Sequence, residues 1–355
     1  MGNVSAAGKS LVLVAGSGRS GTSLFAGLLQ RLGLYVPQPE VEPDISNPRG
    51  FAESQWVVDF HERLLTGAVV QTADARPSAW ASTASVSARE KNLLALRVFL
   101  EEQFAVADHL VIKDPRLAWF LPLWRRCAED LGVTPSVVTM LRHPAAVVDS
   151  KSRYYGVGNV VVGRTAGWVN GMAFTERATR DMPRVFVRYD DLLTDWPVVV
   201  ARVGEKLGLD PVNGAGAPAL RRANELVDPT LRRSAASWRD DMGIPDVLRG
   251  QADELWQLLD TIADKDEAET AASLAALDAV RQRYVAFYEE AESIAQSSVW
   301  NARESALPRP EALRWRNHLV RLVPAGVRRL VPVRWRRKVL RRRRAAERKV
   351  AKASS

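Results

Sequence analysis

The chain has 355 residues, 46% of them hydrophobic, and a formal net charge of +9 at pH 7. A chain of this length can bury a full core, and about 300 residues suit one α/β catalytic domain. The single cysteine, Cys127, excludes an internal disulfide and a multi-cysteine metal site, and the four histidines lack metal-ligand spacing. With no apolar run near the ~20 residues of a spanning helix and no secretory signal, we expect a cytoplasmic protein that needs no metal.

Four short, valine-rich runs predict the strands of a parallel sheet. They cover residues 11–16, 109–113, 136–141 and 184–188. Helical stretches separate these runs, and strands that alternate with helices build parallel sheets. We therefore expect an α/β fold in which a central parallel sheet is flanked by helices.

A glycine-rich loop follows the first strand and opens a helix at about Thr22. The loop comprises Gly16, Ser17, Gly18, Arg19, Ser20, Gly21, Thr22 and Ser23. Glycines let the backbone approach an anion, and the free N–H groups at the start of a helix point at the charge. Gly16 and Gly21 keep the spacing of a nucleoside-triphosphate loop, but Thr22 replaces its lysine and the cation has moved to Arg19. This change argues against an ATP or GTP enzyme, which needs the lysine and magnesium. A plain βα turn is the alternative.

The loop resembles the 5′-phosphosulfate loop of sulfotransferases that use 3′-phosphoadenosine 5′-phosphosulfate. A sulfuryl group carries one charge and transfers without a metal, so an arginine, hydroxyls and amides can stabilise it. The resemblance is strongest to bacterial sulfotransferases. It implies a P-loop nucleotide hydrolase-like fold and a loop that binds the sulfated end of the donor, in which Arg19 and the loop amides hold the sulfuryl oxygens.

Two later strands also end in cations. Lys113 closes the second strand in a Lys-Asp-Pro motif, and Arg142 follows the third strand, eight residues before Ser150 on the next helix. Ligands of open α/β sheets bind at the carboxyl ends of the strands, so these groups can converge on one anion. In the family that the chain resembles, the counterparts of Arg142 and Ser150 recognise the 3′-phosphate of the donor. Lys113 would then bind the bridging oxygen or a sulfuryl oxygen. Solvated side chains that only cap the sheet are the alternative.

A general base is expected between the first helix and residue 62, because an acceptor hydroxyl must lose its proton as it attacks sulfur. Glu40 lies twenty-one residues after Arg19, and Glu53 lies in an Asn-Pro-Arg-Gly-Phe-Ala-Glu segment; both placements resemble sulfotransferase motifs. We favour Glu40 narrowly over Glu53, with His61 as the third candidate. Tyr189 follows the fourth strand. It could contact the donor nucleotide, or it could be a capping residue whose ring packs against the protein.

The basic charge is concentrated at the end of the chain. We place a sulfotransferase domain at residues 10–297 and a basic amphipathic tail at 298–355. Residues 314–352 contain sixteen lysines and arginines and one acidic residue, Glu347, with apolar residues between them. Such a segment suits an anionic membrane surface at the inner face, although a solvated tail is possible; nucleic acid is not expected.

The acceptor expected from the resemblance and from the tail is a hydroxyl on a carbohydrate or glycolipid, and a peptide tyrosine or a secondary metabolite is the alternative. Two other functions remain open. One is a P-loop kinase of a small molecule, and the other is a non-catalytic, membrane-associated nucleotide-binding module.

Overall fold

The computed structural model describes residues 8–44, 47–155, 160–228, 237–239, 242–264 and 269–306. The chain divides into two compact units, residues 1–290 and 291–355. The first unit contains the sheet and the site described below. Of the second unit, the structure describes residues 291–306, which are helical. The expected tail segment 314–352 lies outside the described residues, and the predicted boundary at 297 and 298 stays a prediction.

The predicted sheet is confirmed. Its strands are β1 (Ser10–Gly16), β2 (His109–Lys113), β3 (Ser136–Leu141) and β4 (Arg184–Arg188). All neighbours are parallel, in the order β2-β1-β3-β4, so the first strand lies inside the sheet. Because the strands are parallel, their carboxyl ends meet at one edge, where the loop after β1 also lies.

Helices connect and flank these strands. They are α1 (Thr22–Arg31), α2 (Gln55–Ala68), α3 (Ala79–Ser87), α4 (Glu90–Val106), α5 (Leu121–Glu129), α6 (Pro144–Tyr155), α7 (Val160–Ala178), α8 (Tyr189–Thr194), α9 (Trp196–Leu207), α10 (Asp210–Asn213), α11 (Ala217–Asn224), α12 (Asp246–Asp264) and α13 (Ala271–Ala306). A short 3-10 helix, Leu117–Phe120, precedes α5.

Both faces of the sheet are buried, and the side chains of β1 alternate between them. Leu11 and Leu13 pack in a core with side chains of α2, α4 and α5, whereas Val12 and Val14 pack with side chains of α1 and α9. This alternation follows from the two-residue period of a strand, and burial on both faces explains why each strand is almost wholly apolar.

A third core joins α7 and α12 to the outer strand β4. Trp168 and Leu255 pack in it with Phe186. Arg184 reinforces this side, because its guanidinium forms an ion pair with Glu176 at 3.1 Å and with Glu269 at 2.6 Å. These contacts hold α7 against β4, and the same helix forms one wall of the cavity described next.

Candidate active site

The loop after β1 turns tightly at the edge of the sheet. Gly16, Arg19 and Gly21 have φ angles of 135°, 74° and 84°, in the left-handed region that favours glycine. A Cβ atom at Gly16 would lie 2.8 Å from the carbonyl oxygen of Met140 on β3, so this position has no room for a side chain. The loop therefore depends on its glycines to reach the start of α1, where free N–H groups can meet an anion.

Lys113, at the end of β2, is held by two acceptors. Its ammonium donates to Ser23 Oγ at 2.9 Å and forms an ion pair with Glu53, and its side chain is 3% exposed. Burial raises the pKa of Glu53 above its ordinary value, and the attraction of Lys113 offsets this only in part. A carboxyl group with a raised pKa beside a buried cation is typical of catalytic sites.

Arg142 and Ser150 meet the loop at Arg19. The guanidinium of Arg142 donates to the carbonyl oxygen of Arg19 at 2.8 Å, and Arg19 Nε donates to Ser150 Oγ at 3.2 Å. Arg142 also lies over the ring of Tyr189, 4.6 Å from its centroid, and a Cβ atom at Gly21 would collide with this ring. The structure thus brings these predicted residues together, with Tyr189 packed between the arginine and the loop.

Lys151 is a residue that the sequence analysis missed. It follows Ser150 on α6, and its ammonium donates to Ser17 Oγ at 3.2 Å. Burial lowers the pKa of Lys151 to about 8, and the nearby charges of Arg164 and Arg19 act in the same direction. The signal in the sequence was its position directly after the predicted serine.

These groups line one cavity of about 1000 Å³. Its predicted members are Gly16, Ser17, Gly18, Arg19, Gly21, Thr22, Ser23, Glu53, Lys113, Arg142, Ser150 and Tyr189. Ser20 is fully buried and does not line it. Ligand sites commonly have volumes of ~300–1,000 Å³, so this cavity has room for a nucleotide and part of a second molecule.

Glu40, the favoured base, does not line this cavity. It lies at a smaller hollow of about 370 Å³, where Gln30 and Gln38 donate hydrogen bonds to its carboxylate at 2.6 Å and 2.9 Å. Glu40 also forms an antiparallel bridge with Ser54, the neighbour of Glu53. Of the two carboxylates, the structure brings Glu53 to the cations and leaves Glu40 apart.

His61, the third candidate base, is packed inside the protein. Its side chain is fully buried, its Nε2 accepts a hydrogen bond from Trp124 Nε1 at 2.9 Å, and its Nδ1 lies 3.4 Å from Asp114 Oδ1. Burial alone would raise the pKa of Asp114, but His61 and Arg116 hold it below its ordinary value. His61 thus supports the Asp114 turn after Lys113 and does not face the cavity.

One wall of the cavity is formed by α7 and the segment 71–75. Gly163, Gly167, Gly171 and Thr175 recur every four residues and line the cavity along one face of α7. A Cβ atom at Gly163 or Gly171 would meet nothing within 4 Å, whereas at Gly167 it would lie 2.5 Å from the carbonyl oxygen of Ala73. The helix therefore leaves open space in front of two of its glycines.

The segment 71–75 is pinned to its surroundings by hydrogen bonds to its backbone. Trp119 Nε1 donates to the carbonyl oxygen of Thr72 at 3.0 Å, and Asn170 donates to that of Asp74 at 2.8 Å. Trp119 itself lines the cavity, as do three further apolar side chains, Phe51, Trp168 and Met172. These four side chains form the apolar wall of the cavity, and Gln71, Thr72, Arg164 and Thr175 line the cavity as well.

Two kinds of feature are absent from the residues that the structure describes. Within them, no group of three or more histidine, cysteine, aspartate or glutamate side chains is arranged to hold a metal ion. No helix in the same part of the chain is long and apolar enough to cross a membrane.

Comparison with known proteins gives matches among solved structures. No protein-family model matches the chain, and no curated protein sequence is similar to it. The sulfotransferase domain of the olefin synthase from Synechococcus PCC 7002 is 20% identical, with a TM-score of 0.41, over 74% of this chain and 98% of that domain. The sulfotransferase domain of the curacin biosynthetic pathway is 18% identical, with a TM-score of 0.35, over 64% and 88% of the two chains.

A third structure is sulfotransferase STF1 from Mycobacterium tuberculosis H37Rv. It is 18% identical, with a TM-score of 0.38, over 68% of this chain and 76% of that one. Each of the three neighbours is named a sulfotransferase or a sulfotransferase domain.

Proposed function

We propose that this protein is a sulfotransferase that moves a sulfuryl group from 3′-phosphoadenosine 5′-phosphosulfate to a hydroxyl group. The observation that carries the proposal is the convergence of Arg19, Lys113, Arg142 and Ser150 on one cavity beside a glycine-rich loop. A nucleotide with an anionic group at both ends fits such an arrangement, because each end meets its own cation.

The two ends of the donor are assigned to the two ends of the loop. Ser23 and Lys113 lie beside Glu53 and would hold the sulfuryl group, whereas Arg142 and Ser150 would hold the 3′-phosphate. A nucleoside triphosphate is a poorer fit, because Thr22 stands where its lysine would be.

Glu53 is the base in this proposal. Its carboxylate takes the proton of the acceptor hydroxyl while that oxygen forms a bond to sulfur and the bond from sulfur to the 5′-phosphate oxygen breaks. Lys113 donates to the oxygens on which negative charge develops. Adenosine 3′,5′-bisphosphate leaves as the second product. Glu53 is preferred over Glu40 because it lines the cavity and contacts Lys113.

The acceptor is proposed to be a hydroxyl compound that lies along α7. The apolar wall formed by Phe51, Trp119, Trp168 and Met172 favours an acceptor with an apolar body, such as a glycolipid, over a free sugar. Of the two acceptor classes favoured from the sequence, carbohydrate and glycolipid, we therefore propose the glycolipid as the first to test.

Calorimetry tests the donor. We expect adenosine 3′,5′-bisphosphate to bind without magnesium and magnesium-ATP to bind weakly. Tight binding of magnesium-ATP together with no affinity for the bisphosphate would contradict the proposal and favour a kinase. Incubation with a radiolabelled donor and a fractionated cell extract then identifies the acceptor by the label that it gains.

We also propose a cytoplasmic location in which the basic segment 314–352 lies on an anionic membrane surface. Support comes from its sixteen basic residues against Glu347. The full chain should sediment with anionic liposomes, and a chain that ends at residue 313 should not. Equal sedimentation of the two proteins would contradict the membrane role.

A further inference from the structure

Lys151 is a half-buried cation whose described surroundings are positive or neutral. Its ammonium donates to Ser17 Oγ at 3.2 Å, and the charged side chains that act on it are Arg164 on α7 and Arg19 in the loop. No carboxylate among the residues that the structure describes forms an ion pair with it. Because Lys151 lines the cavity and a desolvated charge is normally paired, this cation predicts that an anion completes the site.

The position of Lys151 indicates which anion this is. At one end of the loop, Ser23 contacts Lys113, which contacts Glu53. At the other end, Ser17 contacts Lys151, and Arg19 contacts Ser150. Lys151 therefore belongs to the half of the cavity that contains Ser150 and Arg142, away from the group that is transferred.

We propose that Lys151 binds the same phosphate as Arg142 and Ser150, and that it sets the preference of the site for an adenine nucleotide with a 3′-phosphate. This inference rests on the proposed function, since it assumes the donor named there. Lys151 contacts the nucleotide directly in this proposal, so it is a binding residue and takes no part in the transfer of the sulfuryl group.

A proton accompanies this binding. Because burial and two neighbouring cations lower the pKa of Lys151 to about 8, about half of these amines are neutral at that pH in the free protein. A phosphate with two negative charges favours the ammonium, so the nucleotide should cause a proton to be taken up. At pH 9 the uptake should approach ~0.9 proton for each nucleotide bound, given one group that titrates near 8.

Two nucleotides and three variants test the proposal. The binding of adenosine 3′,5′-bisphosphate and adenosine 5′-monophosphate is measured by calorimetry at pH 9, in two buffers that differ in ionisation enthalpy. The proteins are the natural chain, Lys151→Met, Lys151→Arg and, as a control, Lys91→Met, which alters an exposed lysine on α4.

The expected results differ between the variants. Lys151→Met should weaken the binding of the bisphosphate about tenfold to hundredfold, the loss expected for one hydrogen bond to a charged group. It should change the binding of the 5′-monophosphate less than about twofold and abolish proton uptake, because a methionine neither binds a phosphate nor titrates. Lys151→Arg should keep most of the affinity but take up no proton, because arginine stays charged. Lys91→Met should behave as the natural chain.

The outcomes separate the inference from the function on which it rests. If the natural chain binds no bisphosphate, the proposed function fails. If the natural chain binds it and Lys151→Met binds it equally well with the same proton uptake, the inference alone fails. An equal loss for both nucleotides would also overturn it. Thermal melting of the free protein checks the fold. If Lys151 serves to bind a phosphate, Lys151→Met should not lower the melting temperature. If Lys151 stabilises the fold, Lys151→Met should lower it.

Discussion

Replacing Glu53 by glutamine separates the charge of this side chain from its shape. The amide oxygen of Glu53→Gln can still accept a hydrogen bond from Lys113, but the side chain can no longer take a proton from the acceptor. General bases contribute roughly 10²–10⁴-fold to turnover. We therefore expect kcat to fall at least ~100-fold, which corresponds to about 2.7 kcal/mol of transition-state stabilisation.

Glu53→Gln should lower kcat but should not lower the affinity for the nucleotide. In the natural chain, the carboxylate of Glu53 forms an ion pair with Lys113, and this pair competes with an anionic donor for the same ammonium. Removal of the negative charge frees Lys113, so the affinity for adenosine 3′,5′-bisphosphate should stay equal or increase. A lower kcat with undiminished nucleotide affinity is the pattern of a base and not of a binding residue.

The pH profile gives an independent measurement. Glu53 must be ionised to act, and its pKa is raised above its ordinary value, chiefly by burial. As the pH falls, turnover should therefore decline at a higher pH than an ordinary glutamate would cause, and this limb should be absent from Glu53→Gln. Glu40→Gln, which changes the same residue type outside the cavity, is the control and should keep both the rate and the limb.

Turnover that survives in Glu53→Gln would refute the assignment of Glu53 as the base. If Glu53→Gln retained more than about a tenth of the turnover, a base that supplies 10²–10⁴-fold would be excluded at this position. If Glu40→Gln instead lowered turnover and removed the acidic limb of the pH profile, the carboxylate of Glu40 would have to reach the acceptor from the smaller hollow. The placement of Glu53 beside Lys113 would then have no part in the transfer of the proton.

Arg142→Gln should weaken the binding of adenosine 3′,5′-bisphosphate about tenfold to hundredfold and leave that of the 5′-monophosphate nearly unchanged; equal affinities for the bisphosphate in both proteins would contradict its assignment. Gly171→Leu should fill the open space in front of α7 and raise the KM for the acceptor about tenfold without altering nucleotide affinity, whereas Gly67→Leu, at a helix position that also has nothing within 4 Å, should not. Turnover should survive prolonged treatment with EDTA, because the proposed chemistry uses only side chains and loop amides; a loss that added metal restores would reject this mechanism.

The strands could be predicted from the sequence because burial on both faces leaves almost no polar residue in them. Each strand of the structure agrees with its predicted range to within one residue at either end. The position of the cationic groups at the edge of the sheet could also be predicted, because Lys113 and Arg142 come directly at the ends of such apolar runs. Parallel pairing then brings the ends of separate strands together without any further information.

The choice between Glu40 and Glu53 could not be made from spacing along the chain. The segment folds back on itself, with the N–H of Val41 donating to the carbonyl oxygen of Glu53 at 2.8 Å. Neighbouring positions in such an extended pair point to opposite sides, so only one of the two carboxylates can face the cations. This path of the chain leaves no periodic pattern in the sequence.

The apolar wall was also missed, for a different reason. Trp119 and Trp168 are both largely buried, as tryptophan side chains usually are, so their type alone does not indicate a binding role. Their remaining surface lines the cavity because α7 presents glycines beside them. A glycine repeat within a helix could have drawn attention to this face, but its partner segment 71–75 has no regular structure to predict.

Every strand of the sheet contributes one group to the cavity, directly or through the next residue: Gly16, Lys113, Arg142 and Tyr189. A molecule held by all four spans the sheet from its outer strand β2 to its outer strand β4. Separation of either outer strand would break some of its contacts, so binding opposes local opening on both sides. When the nucleotide is bound, the amide hydrogens of β2 and those of β4 should therefore both exchange more slowly with solvent, although the two strands are not neighbours in the sheet.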